Sequence, residues 1–450
     1  MAYGTEYGRV IPTITAAAEA QSFVDARITE GSDYIKIVYG ESTVFPTIDR
    51  DVLEAVIAAA KKRNKLAVVH IGSLRTADEA ITAGASGLVH IFADAPGDAA
   101  FARRAAESRA FVTPTLTVTE SATGVAGGAS LVKDARLSPF LSVTERASLS
   151  GSFPQRPNSK RDFANALAAT KLLFDAGVPI LAGTDAPNPG TAHGASLHRK
   201  LELLVRAGLS PEAALVAATS RPALAYSLND RGRIAAGMRA DLVLVAGNPT
   251  ANITDTRDII GVWKRGVPLE RLKAAADVPA AAATTTGLVS NFESAEVRAD
   301  FGRGWGISTD ARIGGTSSAT MTIIKGGANG TGSALELAGT IGTGAPTLWA
   351  GALFFPGTTP MGPVNLSNFT ELVFWARGDD RAEHQVLVFA ARLGLMPATR
   401  PFAVGPEWKE YVMPLSSFSG IDGSDLRGVL FPAGPKPGAF RFTIDEVRFR

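Results

Sequence analysis

The stretch Ile180-Leu181-Ala182-Gly183-Thr184-Asp185-Ala186-Pro187, followed by Thr191-Ala192-His193-Gly194, decides how the first half of this chain is read. An apolar run ends in Gly-Thr-Asp. Pro and Gly then open a loop, and an amphipathic helix follows. That order reads as a buried strand carrying a carboxylate to the C-terminal end of a parallel sheet, where barrel folds keep their chemistry. Taken alone, Asp185 reads better as a turn or helix-capping residue, so the reading depends on what lies upstream.

Working outward from Asp185, the same pattern recurs. Gly31–Gly40 contains a short apolar strand with Lys36 in its middle and Tyr39 near its end. Leu66 to His70 and Gly87 to His90 are two more apolar runs, each ending in histidine. Phe111-Val112-Thr113-Pro114 is a fourth, and Val178–Gly183 the fifth. Helical spacing separates them. Thr15 can cap a helix to about Thr29, Asp49 precedes Val52, Leu53, Val56 and Ile57, and Thr76-Ala77-Asp78-Glu79 has the spacing of a capping box. Further helices are expected over about 98–109 and 161–176, and from Ser210-Pro211 onward. Residues 120–160 read as irregular or partly helical. Alternating strands and helices predict a parallel sheet covered by helices. Residues that follow the strands then share one end, which groups Lys36, His70, His90 and Asp185. Each has a bland reading, as a core histidine, a snorkelling lysine or a turn aspartate. Four such residues at one end in sequence order argue for chemistry.

Composition sets the outer bounds. The chain has 450 residues, 46% of them hydrophobic, enough for two or three domains. Net charge is +2, with 45 basic and 43 acidic residues, and gives no sign of a nucleic-acid or membrane-surface partner. No run approaches the length of a membrane span. Cysteine is absent, which excludes disulfides and thiolate metal sites but does not fix the compartment.

After Ser220 the pattern changes. Gly232-Arg233-Ile234-Ala235-Ala236-Gly237-Met238-Arg239-Ala240-Asp241-Leu242-Val243-Leu244-Val245 is a turn followed by an alternating strand, and Ile259–Gly266 is another strand with a hairpin turn. This string, together with the ordered Lys36, His70, His90 and Asp185, resembles the C-terminal part of amidohydrolase-superfamily hydrolases, in their imidazolonepropionase- and prolidase-like branch. The resemblance covers about residues 10–270. It implies a (β/α) barrel with a β-sandwich appendage and one or two divalent metal ions, zinc foremost, at the barrel mouth. It assigns Lys36 as a carboxylated lysine bridging the metals, His70 and His90 as ligands, and Asp185 as ligand and proton acceptor. His193 and Tyr39 become candidates for touching substrate. The implied reaction is hydrolysis of carbon–nitrogen bonds other than ordinary peptide bonds, in an amide, cyclic amide or dipeptide, or of a lactone, by metal-activated water.

The sequence also departs from that pattern. It contains no His-x-His, and no histidine precedes His70. About five of eight strand–helix units are visible, where a closed barrel takes roughly 250 residues. The expectation is therefore an incomplete barrel, the C-terminal part of a longer enzyme lacking its N-terminal third. A signal peptide, and with it a periplasmic or secreted location, would belong to that missing part. The alternative is an inactive remnant whose C-terminal domain binds a glycan or a protein.

Residues 271–288, with Ala-Ala-Ala and Thr-Thr-Thr, read as a linker. Beyond it glycine is dense and short alternating stretches dominate, as in Leu372-Val373-Phe374-Trp375 and Phe440-Arg441-Phe442-Thr443-Ile444. An all-β jelly-roll sandwich is expected. Asn291-Phe292-Glu293, Trp305, Gly314-Gly315-Thr316-Ser317, Asn365-Leu366-Ser367, Arg377-Gly378-Asp379, Trp408 and Ile444-Asp445-Glu446-Val447 resemble the CIA30 domain, which is related to carbohydrate-binding jelly rolls. The expected division is thus a partial barrel over 1–228, its β-appendage over 229–270, a linker over 271–288 and a CIA30-like sandwich over 289–450. Oligomeric state is not legible.

Overall fold

The structure is a computed structural model. It describes residues 5–6, 9–10, 13–40, 47–153, 161–274, 283, 285–313, 315–344, 347–359, 361–378, 384–393 and 397–450. The chain divides into two compact units, one from the described residues of Thr13–Ser42 and Thr47–Ala276, the other chiefly from Asp277–Arg450. The linker expected over 271–288 lies largely outside the described residues, as do Gly314 and Asp379.

In the first unit, four parallel strands, Ile35–Val38, Ala67–His70, Gly87–Val89 and Phe111–Thr113, pair in chain order. The fifth expected strand is shorter than its apolar run. It joins the sheet by one bridge, Val112 to Ile180, with Val112 N donating to Pro179 O and Leu181 N to Val112 O, both at 2.9 Å. Among the described residues the sheet is open and does not close into a barrel.

Helices follow the strands because their apolar residues recur at helical spacing and need a face to cover. Arg50–Lys62 buries Val52, Leu53, Val56 and Ile57 against the sheet residues Ile35, Ile37, Val69 and Leu88. Ala99–Glu107 starts at Asp98, whose carboxylate accepts from Phe101 N at 2.7 Å. The helix expected at Thr76 begins earlier, at Leu74, with Ser73 as its cap. Thr76 is the third helical residue and closes the box onto Ser73, which leaves Glu79 free to serve elsewhere. Phe163–Asp175, Ala195–Arg206 and Pro211–Ala218 complete this layer. Residues 120–160, expected to be irregular or partly helical, hold Ala129–Val132, Val143–Ser150 and the end of Leu116–Ala122 among their described residues.

Residues alternate across a strand. Ile35, Ile37 and Tyr39 therefore face the helices. Lys36, Val68, His70 and Val89 lie on the other face, where Val68, Phe111 and Leu181 form a small separate cluster. Toward the end of this unit, Leu242–Val245, Ile259–Lys264 and Val267–Leu269 make a three-stranded antiparallel sheet. Val243, Ile260 and Val267 on it are each 61% exposed, so it meets no second described layer there. No helix among the described residues is long and apolar enough to cross a membrane.

The second unit is all β. One antiparallel sheet runs Ser318–Lys325, Ser333–Ile341, Gly438–Phe449, Glu371–Gly378, Lys409–Pro414, with Leu288–Ser290 beside Gly438–Phe449. The other runs Gly304–Thr309, Ala350–Phe355, Leu426–Ala433, His384–Ala390, Ala398–Phe402. Their inner faces share one core, with Phe374 edge-on to Phe431 at 5.0 Å between centroids. Glu293 and Asp445 hold the turn between two strands. Glu293 accepts from Gly332 N at 2.8 Å, and Asp445 accepts from Ala328 N at 2.8 Å and Thr331 Oγ1 at 2.7 Å.

Candidate functional site

Three of the residues singled out in the sequence, His70, His90 and Asp185, meet at or past the C-terminal ends of the parallel strands, and Lys36, the second residue of Ile35–Val38, lies on the same face of the sheet. His70 is the last residue of its strand, and its ring meets the His90 ring edge to face with centroids 4.4 Å apart. His90 follows the next strand at φ 70°, and its Nδ1 lies 3.9 Å from Asp185 Oδ2. Asp185 also has a positive φ, 58°. Two non-glycine residues in the left-handed region at one site cost free energy that the surrounding contacts must offset, a pattern that clusters at functional sites.

Those contacts are visible around Asp185. Gly183 has no room for a side chain, since a Cβ there would lie 2.5 Å from Thr113 Cγ2. Thr117 Oγ1 donates to Thr184 O at 3.0 Å. Asn188 Nδ2 donates to Asp185 O at 2.6 Å and to Asp185 Oδ2 at 3.1 Å. Ser121 Oγ donates to Pro189 O at 2.5 Å, and Ser148 Oγ to Thr191 O at 2.8 Å. The helices Leu116–Ala122 and Val143–Ser150 thus strap the aspartate loop. Thr115, 4% exposed, places Oγ1 2.7 Å from His90 Nδ1. The hydroxyl-rich run Thr115-Leu116-Thr117-Val118-Thr119 was the available signal for this support.

The electrostatics keep the imidazoles neutral. Burial pushes His70 down to about 3, helped by His90 and Lys36 and opposed by Asp185. Burial, then Lys36, brings His90 down to about 4. Lys36 is held below the ordinary lysine range, first because neighbouring protein atoms strip solvent from its amine, against the pull of Asp185. The strand expected to bury this lysine exposes it instead, because its apolar neighbours Ile35 and Ile37 turn toward the helices and Lys36 to the uncovered face. Open solvent therefore screens part of that effect.

Tyr39 is not brought to the site. It lies three residues from Lys36 and so on the opposite face, 6% exposed, with its hydroxyl donating to Glu79 Oε2 at 2.6 Å. His193 is exposed in the turn before Ala195–Arg206, and no described side chain bonds its ring. Two imidazoles and a carboxylate are donors that zinc and related divalent ions accept. Among the described residues no group of three or more His, Asp or Glu is placed to hold a metal ion by itself. The set fits such an ion in donor type without enclosing one.

The fold and this site define a class, and sequence comparison agrees. The chain belongs to the amidohydrolase family, whose profile matches residues 15–269, more than half of its length. It is similar to the imidazolonepropionase of Cutibacterium acnes, 40% identical over 98 residues, 22% of each chain. The chain thus spans about a fifth of the length of that curated relative. Among solved structures it is similar to a Xaa-Pro dipeptidase with bound methionine, at 23% identity and TM-score 0.44 over 57% of this chain and 59% of that one. It is also similar to the family 11 carbohydrate-binding module of a Clostridium thermocellum cellulosomal cellulase, at 17% identity and TM-score 0.29 over 37% of this chain and 95% of that one.

Proposed function

We propose that the α/β part of this chain hydrolyses a carbon–nitrogen bond in a small amide, cyclic amide or dipeptide, or the ester bond of a lactone. One observation carries the reading: His70, His90 and Asp185 lie together at one end of a parallel sheet, with Lys36 on the same face and Asp185 3.9 Å from His90. Members of the family are generally metal-dependent, and His70, His90 and Asp185 are the residues that would hold the ion, with a carboxylated Lys36 beside them. The ion would supply a water of lowered pKa and polarise the scissile carbonyl. His70 and His90, at about 3 and 4, keep free lone pairs at neutral pH. Asp185 takes the proton from the attacking water and passes it to the departing nitrogen or oxygen. Asn188 and Thr115 keep the carboxylate and the His90 ring aimed. Residues 1–228 with 229–270 form the catalytic part in this reading, and 289–450 a separate accessory domain.

The test is Asp185→Asn on the full chain, assayed on imidazolone-type cyclic amides, dipeptides and lactones, with metal content read by mass spectrometry. A loss of about 10²-fold or more in kcat is expected. A variant at wild-type rate would remove Asp185 from the reaction.

A further inference from the structure

The opposite end of the parallel sheet holds a cavity of about 560 Å3. Its wall is built where strands begin: Leu66 precedes Ala67–His70, Phe111 opens Phe111–Thr113, and Pro179 precedes the bridge at Ile180. His70, His90 and Asp185 lie past the other ends of these segments, so the cavity is distinct from the candidate catalytic site.

Three cations line it, Lys61, Arg109 and Arg221, and no residue of its lining is Asp or Glu. None of the three is hydrogen-bonded or ion-paired to a described carboxylate. Lys61 in the last turn of Arg50–Lys62, and Arg109 just past Ala99–Glu107, can be explained by the negative ends of those helices. Arg221 lies three residues past the end of Pro211–Ala218 and in the first turn of the short helix Ser220–Ala225, so the two helix ends act on it in opposite directions. The lysine also has room made for it, since a Cβ on Gly84 would fall 2.3 Å from Lys61 Nζ. Beside these charges stand apolar surfaces. Phe111 is in the lining and meets Tyr226 at a tilt with centroids 5.3 Å apart, and Leu224 at the wall is 67% exposed. An adjoining cavity of about 310 Å3 shares Pro179 and Arg221 and has one carboxylate, Glu212, in its lining.

A mostly apolar hollow of this volume, lined by three cations and no carboxylate, has the form of a small-molecule site. We propose that it binds a small organic anion, with one carboxylate or phosphate head between Lys61, Arg109 and Arg221 and a compact aromatic or apolar body against Phe111 and Leu224. Like charges brought together without partners gain from an anion that neutralises them, and the apolar wall selects anions that carry hydrocarbon.

Calorimetric titration of the full chain tests this with phenyl phosphate, phenylacetate, inorganic phosphate and benzyl alcohol as probes. Phenyl phosphate or phenylacetate should bind saturably, at least tenfold more tightly than benzyl alcohol or inorganic phosphate, and more weakly as salt rises. Which of the two binds better separates a phosphate from a carboxylate head. The pair Arg109→Ala with Arg221→Ala should weaken binding at least tenfold, while Asp185→Asn should leave it unchanged. Leu224→Trp, at an exposed position, fills the cavity without removing a charge and should also block binding. The proposal fails if neither organic anion saturates, if the charge and Leu224→Trp variants bind like wild type, or if Asp185→Asn abolishes binding.

Discussion

His70 and His90 meet edge to face with ring centroids 4.4 Å apart, and the second ring is pinned from behind by Thr115 Oγ1 at 2.7 Å from Nδ1. The contact that fixes the pair thus comes from outside the strands that carry it, and from a residue 4% exposed.

Thr115→Val keeps the shape of that side chain and removes its oxygen. His90 Nδ1 then loses its partner, and the ring is free to turn. A 10- to 100-fold fall in kcat/KM is expected, the order seen when a hydrogen bond behind a ligating histidine is removed. Thr115→Ser should restore most of it. A valine variant at full activity would show that the ring is oriented by other contacts.

The helix that carries Thr117 and Ser121 is held by a buried ion network. Glu120, its side chain 3% exposed, accepts from Arg199 Nη2 at 2.7 Å and Nε at 3.2 Å. Arg199 also reaches Glu202, which pairs with Arg257, and Arg257 reaches Asp134 at 2.7 Å. Removing the Glu120 charge leaves the largely buried Arg199 sharing its one remaining carboxylate, Glu202, with Arg257. Glu120→Gln should cost about 3 kcal/mol, read from the urea midpoint at unchanged slope. Arg206→Ala, whose partner is 3.9 Å away and whose side chain is 59% exposed, should cost less than about 1 kcal/mol. Equal stability of Glu120→Gln and wild type would dismiss the network as a source of stability.

The strand–helix alternation and the places of His70 and His90 at strand ends were legible because apolar runs ending in a polar residue say both where a strand lies and where it stops. The supports were not. Thr115-Leu116-Thr117-Val118-Thr119 is rich in β-branched residues and looks strand-like, yet from Leu116 it is helical because its hydroxyls find carbonyls: Thr119 Oγ1 donates to Thr115 O at 3.1 Å and Thr117 Oγ1 to Thr184 O. Those partners are set by tertiary contact, which no local pattern encodes. Tyr39 is different. Its parity with Ile35 and Ile37 already placed it on the helix side, away from Lys36, and alternation alone was enough to exclude it.

Acid should weaken the first unit in a defined window. Burial, then Arg257, pushes His198 down to about 4 from an ordinary 6.5, with Asp134 acting the other way. The folded chain keeps this ring neutral, while the unfolded chain protonates it below about 6.5. Stability is therefore complete above 6.5 and is lost as pH falls toward 4, at up to about 1.4 kcal/mol per pH unit for each such proton. His70 and His90 act in the same direction. His198→Asn, measured by urea unfolding at pH 7.5, 6 and 5, should show a slope shallower by one proton. An unchanged slope would mean that His198 titrates alike in both states.

Lys200 gives the sharpest test of burial in this fold. It is wholly buried, and its Nζ donates to Pro114 O, directly before Thr115. Burial alone drives its pKa well below the ordinary 10.5. The unfolded chain binds a proton there at every pH below about 10.5, and the folded chain gives that proton up as long as the pH is above the lowered value. The lysine therefore costs stability that grows as pH falls from 10.5. Lys200→Met has similar length and no proton to lose. It leaves the Pro114 carbonyl without its donor, a penalty of about 1–3 kcal/mol that does not vary with pH. The difference between variant and wild type isolates the proton. As pH falls from 10, methionine should gain on lysine by up to about 1.4 kcal/mol for each pH unit that lies above the lowered pKa, whatever the size of the carbonyl penalty. A difference that stays flat over that range would mean that Lys200 keeps its charge inside the protein and has an anionic partner there.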